Sequence, residues 1–159
     1  TDFGELDGDK LYRHGGDGDG TYACTLGGYP AVDNIELVNY SSGGSASEFA
    51  GEASVSGYGE NHCTDGNRQL RMGAIGFTAT IDSFVIASGG AVVDFGDLVE
   101  TAGDFDTGTS DGSRGVCLQG NRDPISDQQE YVNIGVYSNA IDFSEAITAT
   151  YMAWSTSGG

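Results

Sequence analysis

Four aspartates, Asp7, Asp9, Asp17 and Asp19, crowd one glycine-rich stretch. Carboxylate oxygens at that density are the hard ligands that calcium takes. An EF-hand loop counted from Asp17 would need a further acid where Thr21 stands and a glutamate where Gly28 stands. The stretch therefore reads first as solvated turn, with Asp17 and Asp19 as the pair left for a weaker calcium site. No other cofactor is expected. His62-Cys63 could serve as metal ligands, or as a base and nucleophile, but neighbours on a strand point to opposite faces, which argues against both roles. His14 falls in a loop and carries no signal. No catalytic residue emerges, and the expectation is a protein that is not an enzyme.

Aromatic rings could do a gentler chemistry, stacking on sugars while keeping a polar edge in water. Tyr29, Tyr58 and Tyr137 fall near turns and are the candidates for contact with a glycan. Tyr22 and Trp154 read instead as filling between sheets, and Tyr12 carries no assignment. The Asp-Gly pairs resemble the Asp-box of sialidase-type propellers, but that motif has a residue between Asp and Gly and an aromatic shortly after. Ser110-Asp111-Gly112-Ser113-Arg114 has neither. Arg13, Arg68, Arg71, Arg114 and Arg122 show no convergence that would clamp a substrate carboxylate. Asn39-Tyr40-Ser41 matches a glycosylation acceptor but lies in the best-defined strand, so the match reads as accidental.

What must position these residues is a repeat. An acid followed by Phe occurs at Asp2-Phe3, Glu48-Phe49, Asp94-Phe95 and Asp142-Phe143, with steps of 46, 46 and 48 residues. Asp-Gly occurs at Asp19-Gly20, Asp65-Gly66 and Asp111-Gly112, again 46 apart. Ile35 and Ile81, Val38 and Phe84, and Gly43-Gly44 and Gly89-Gly90 keep the same offset. The third unit needs a two-residue insertion, expected in the turn around Asn121 to Asp127.

Each Asp-Gly should close a hairpin. Strands are expected at Tyr22 to Leu26, Leu70 to Ile75 and Arg114 to Leu118, then at Ile35 to Tyr40, Thr80 to Ala87 and Glu130 to Val136. A short strand into the Phe anchor and a weaker segment back to the next Asp-Gly complete four strands per unit. The Thr80 to Ile86 run is apolar on both faces towards its end, as a sheet held between two others would be. The fold expected is all-β: antiparallel four-stranded blades, β-propeller-like, about three and a third repeats of 46 residues. The single array divides into units of about 1–46, 47–92 and 93–140, with a partial unit at 141–159. Three and a third blades do not close a ring, so further protein or open stacking is expected to complete the array. The lack of an initiator Met points the same way, to processing or a longer chain.

Twenty-four acidic residues against 6 basic ones give a net charge of −18. Phosphate backbones and anionic lipid repel such a surface, so neither nucleic acid nor membrane insertion is expected. With 27 Gly and only 2 Pro, and Ser, Thr, Asp and Asn between short apolar runs, the composition suits many short strands and tight turns. Cys24, Cys63 and Cys117 allow at most one disulfide within the chain and read as small buried hydrophobes.

Ala91-Val92-Val93-Asp94-Phe95-Gly96-Asp97-Leu98 and Thr1-Asp2-Phe3-Gly4-Glu5-Leu6 resemble the N-A-T-D-F-G-D-L element of kelch-like repeats in tail-associated and other structural proteins of bacteriophages. Asn139-Ala140-Ile141-Asp142-Phe143-Ser144 is similar. The R-G-x-x-x-G-G element of those repeats is echoed by Arg114-Gly115-Val116-Cys117-Leu118-Gln119-Gly120, and their I-x-Y-x-x-I strand by Ile81 to Ile86. The second anchor departs from the pattern, with Glu48-Phe49-Ala50-Gly51. The resemblance implies propeller-like blades and a virion or extracellular location, with other copies of the chain or other virion structural proteins as partners. It implies no shared catalytic residues. A host-surface glycan is a further expected partner, and a glycan-binding module or a self-assembling extracellular fibre protein are the alternatives to a virion component.

Overall fold

A computed structural model describes residues 4–6, 16–103, 107–118, 120 and 124–149, with the side chain of Ala50 left aside. Asp7, Asp9, Tyr12, Arg13, His14, Arg122 and Trp154 lie outside the described residues. The described strands form three antiparallel sheets, each a four-stranded meander in chain order. Sheet 1 is built of β1 (Gly16–Gly18), β2 (Tyr22–Leu26), β3 (Val32–Asn39) and β4 (Ser47–Gly57). Sheet 2 follows as β5 (Asn61–Thr64), β6 (Arg68–Met72), β7 (Thr78–Val85) and β8 (Val93–Ala102). Sheet 3 holds β9 (Thr107–Ser110), β10 (Arg114–Leu118), β11 (Gln128–Asn133) and β12 (Ile141–Glu145). Every sheet is open, with two edge strands.

The period read from the sequence is the period of the hydrogen bonds. Thr25 pairs Glu36, Arg71 pairs Asp82 and Cys117 pairs Glu130, one equivalent cross-strand pair per sheet. The two inserted residues of the third unit fall between Cys117 and Glu130. The Asp-Gly pairs do close the β1–β2, β5–β6 and β9–β10 hairpins, with Gly20, Gly66 and Gly112 at φ of 84, 86 and 83°. Positive φ of this kind is what glycine adopts without steric cost. The aspartates keep negative φ and act through their side chains instead, accepting from the backbone of the turn.

One element is larger than its sequence signal. The strand bearing the Phe anchor is not short: β4 runs for 11 residues and β8 for 10. The stretch Ser47-Glu48-Phe49-Ala50-Gly51-Glu52-Ala53-Ser54-Val55-Ser56-Gly57 is dominated by small and polar residues with weak strand preference. Register shifts between Val32 and Glu36, and between Thr78 and Asp82, mark bulges where the strand bends away from its own sheet. The residues inside the bulge can thereby meet the next sheet before the strand rejoins its own at Gly57 or Ala102.

The core lies between the sheets. Cys24, Leu26, Ile35 and Phe49 of sheet 1 meet Phe84 and Ile86 of sheet 2 in one cluster. Leu70, Met72, Ile81, Phe95 and Leu98 of sheet 2 meet Cys117, Val132 and Ile134 of sheet 3 in a second. On β7, Ile81 faces one neighbour while Phe84 faces the other, which is why the strand is apolar on both faces. Tyr22 packs against the first cluster, as a filling residue should. The first strands β1, β5 and β9 run beside one another through the stack. The three cysteines are buried and free of disulfide bonds.

Candidate functional site: the joint between sheets

The joints are built from three parts, of which the anchor Phe and the buried acid keep the repeat spacing. The first is an aromatic contact. Phe49 of β4 lies 5.0 Å from Phe84 of sheet 2, and Phe95 of β8 lies 5.2 Å from Tyr137 of sheet 3, centroid to centroid. Tilted ring pairs at such distances add roughly 0.5–1.5 kcal/mol to the area they bury.

The second part is a buried acid. Glu36, Asp82 and Glu130 occupy the same register on β3, β7 and β11, and all three are buried. Asp82 Oδ2 accepts from the Ser54 backbone N–H at 3.0 Å, reaching into the bent half of β4. Glu130 does the same to β8 with both oxygens: Oε2 accepts from Val99 N–H, and Oε1 accepts from Glu100 N–H at 3.1 Å. Ser54 and Glu100 are 46 residues apart. A carboxyl oxygen turned on backbone amides satisfies donors that the bulge has removed from the ladder.

The third part is a close backbone crossing at the Asp-Phe-Gly anchor. Ala140 N–H donates to Asp97 carbonyl at 2.7 Å, and Ala46 N–H donates to Glu5 carbonyl at 2.7 Å. A Cβ on Gly96, which sits at φ 148°, would fall 2.4 Å from Ser138 carbonyl; on Gly4 it would strike the Gly44 carbonyl. The glycine of the anchor is therefore a contact residue between units.

The joint of sheets 1 and 2 carries an addition. Arg71 Nη1 bonds Asp82 at 3.2 Å and its Nη2 bonds Glu60 at 3.0 Å, with all three side chains almost fully buried. Removing one partner from such a pair leaves an uncompensated buried charge, which costs about 3–5 kcal/mol. Arg68 reaches across the other joint, its Nη1 on Ile134 carbonyl at 3.0 Å and its guanidinium 4.7 Å over the Tyr137 ring. The three described arginines thus serve separate places, Arg114 lying over Tyr131 on the far face of sheet 3.

The residues singled out by type fall as follows. Asp19 Oδ1 accepts from Thr21 N–H at 2.8 Å and from Tyr22 N–H at 2.7 Å, as Asp65 and Asp111 do in their own hairpins. Asp17 is half-buried, its Oδ1 accepts from Gly18 N–H, and burial pushes its carboxyl above the usual range. Among the described residues no group of three or more His, Cys, Asp or Glu is placed to hold a metal ion. Tyr29 and Tyr58 come together edge to face at 5.5 Å, at the end of the sheets carrying the β2–β3 connection. Tyr137, 53 % exposed, lies at the opposite end, in the β11–β12 connection. Asn39 Oδ1 accepts from Ser41 and Ser42 N–H, so its amide belongs to a turn.

The buried acids were not among the residues picked out by type. Their signal was available: an acid at steps of 46 and 48 inside the most apolar strand of each unit, as Ile35-Glu36-Leu37, Ile81-Asp82-Ser83 and Glu130-Tyr131-Val132. The arrangement defines a class of protein in which like sheets are stacked by like joints. No protein-family model matches the sequence, and no curated protein is similar to it.

Proposed function

We propose that the chain is a non-catalytic structural and interaction element of a bacteriophage particle, made of kelch-like, propeller-like blades that stack in series. The observation that carries the structural part is the joint itself. The aromatic anchor and the buried acid recur at both joints, so the sequence is organised around joining one sheet to the next. The phage part rests on the resemblance of the Asp-Phe-Gly anchors and of the strand through Ile81 and Ile86. Acidic, glycine-rich hairpins at the sheet ends are the surface offered to a partner. The test is mass spectrometry of purified particles followed by imaging at side-chain resolution: the chain should be present at fixed stoichiometry, its three sheets adjacent. Absence from purified particles would overturn the reading.

A second reading has one observation in its favour, the pairing of Tyr29 with Tyr58. Two rings at one end, with Tyr29 45 % exposed, are a platform on which a sugar of the host surface can stack. Glycan-array binding that is lost in Tyr29→Ala would favour a lectin-like module over a purely structural one.

A further inference from the structure

The face that sheets 1 and 2 turn to the following sheet is open on sheet 3. Phe49 and Phe95 are each 3 % exposed, whereas Phe143 in the same register of β12 is 50 % exposed. Cys24 and Leu70 are fully buried, whereas Val116 at the same position of β10 is only partly so. Arg68 spans its joint to the Ile134 carbonyl, whereas Arg114, 46 residues further on, lies over Tyr131 of its own sheet. Phe143 packs on the same Tyr131 ring, 5.7 Å away between centroids, and Ile141, paired with Tyr131, is exposed beside it. Val116, Tyr131, Ile141 and Phe143 thus form one apolar patch, and a contiguous patch on a sheet face marks an interaction site.

A second copy of the chain has only this face to offer. At the sheet 1 end Glu36 is 0 % exposed, and Gly44 and Ala46 are held by Gly4 and Glu5, so that surface is taken. Sheet 2 is covered on both sides by its neighbours. A copy that meets the Phe143 face therefore meets it with its own Phe143 face, and a contact between like patches is two-fold and closes at the dimer. The charges suit that arrangement. In a chain of net charge −18, this face carries Arg114 at one end and, at the other, Asp127, which continues the row of Gln129 and Tyr131. We infer that two copies of the chain pack these faces of sheet 3 together about a two-fold axis running across the strands. Such an axis lays β11 over β11 and brings the Tyr131 and Phe143 rings of both copies together at the centre. It also turns each Arg114, already over the β11 ring, toward Asp127 of the other copy, so that opposite charges meet at both ends.

The test is analytical ultracentrifugation of the full chain from micromolar to millimolar concentration at physiological salt, with far-UV circular dichroism to check that each variant is folded. The parent chain should show a monomer–dimer equilibrium with no larger species. Phe143→Asp should weaken the dimer about thirtyfold or more, the loss expected of a central aromatic anchor. Arg114→Asp and Asp127→Arg should each weaken it about tenfold, since each sets like charges against one another in both halves of the interface. Mixing those two variants should restore the dimer, because every end contact of the mixed pair again joins opposite charges. A parent chain that stays monomeric overturns the inference even where the chain is found in purified particles, and so does growth beyond the dimer. A dimer indifferent to Phe143→Asp, or charge variants that mixing does not rescue, overturns it equally.

Discussion

At the scale of the residue, two kinds of carboxylate do different things with the same atoms. Asp65 and Asp111 sit at exposed turns and accept two backbone amides each, so Asp65→Ala should cost about 1 kcal/mol, the usual worth of a lost cap. These amides pull the Asp111 carboxyl below the usual carboxylate range, the Arg114 N–H most of all. The stabilisation is present above the ordinary value of 3.8 and is lost as pH falls through the lowered one. Glu130 is different because the acid itself is buried while it serves two amides of another sheet. Glu130→Ala takes the acceptor from the part-buried Val99 and Glu100 amides, and the loss of the two bonds should cost about 1–3 kcal/mol in all. Urea unfolding should rank the parent above Glu130→Gln, which keeps one acceptor oxygen, and that above Glu130→Ala. Equal midpoints for Glu130→Ala and Asp65→Ala would show that the buried acid is not a key of the joint.

At the scale of the element, the outer strands explain both what was legible and what was not. Hairpins and middle strands announce themselves through Asp-Gly pairs and apolar alternation, and the strands at Tyr22 to Leu26 and Arg114 to Leu118 fall where that pattern puts them. The anchor strands do not, because they leave their neighbour partway along and return to it. β8 pairs with β7 from Val93 to Asp97 and again at Ala102, and in between Val99 and Glu100 hand their amides to Glu130 of another sheet. No local rule reads a strand whose partner is a side chain 30 residues further on. The tyrosines show the same limit: nearness to turns was legible for Tyr29, Tyr58 and Tyr137, but only the sheet order separates the first two from the third. The equivalence of the anchors gives a sharp contrast to measure. Phe95→Ala empties a buried site between two sheets and should cost about 3–5 kcal/mol. Phe143→Ala removes a half-exposed ring and should cost less than about 1 kcal/mol in the monomer. Gly96→Ala should be destabilising despite adding only a methyl, because that methyl meets the Ser138 carbonyl at a φ that side chains avoid.

At the scale of the whole molecule, the acidic surface and the buried thiols respond to solution conditions in opposite directions. A net charge of −18 repels itself across the folded surface, and added salt screens that repulsion, so thermal stability should rise with sodium chloride. Rising pH works against the fold through the cysteines. Cys24 is pushed up to about 12, first by burial and then by the nearby charge of Asp17. Burial pushes Cys63 up further, with Asp17 and Asp65 adding to it. Below the ordinary thiol value of 9.0 both the folded and the unfolded chain hold these protons, and the two cysteines contribute to stability in full. Above it the unfolded chain releases protons that the folded chain keeps, so stability falls by about 1.4 kcal/mol per pH unit for each thiol until the folded thiol also ionises. Tyrosine ionisation begins in the same range, so the comparison that isolates the effect is with Cys24→Val and Cys63→Val. Urea midpoints of the parent chain should be level from pH 7 to 8.5 and drop from about pH 9 upward. The double variant should lose most of that drop at its onset, where tyrosine has not yet ionised. An unchanged slope in the double variant would place the alkaline sensitivity elsewhere and sink the assignment of both thiols to the packed interior.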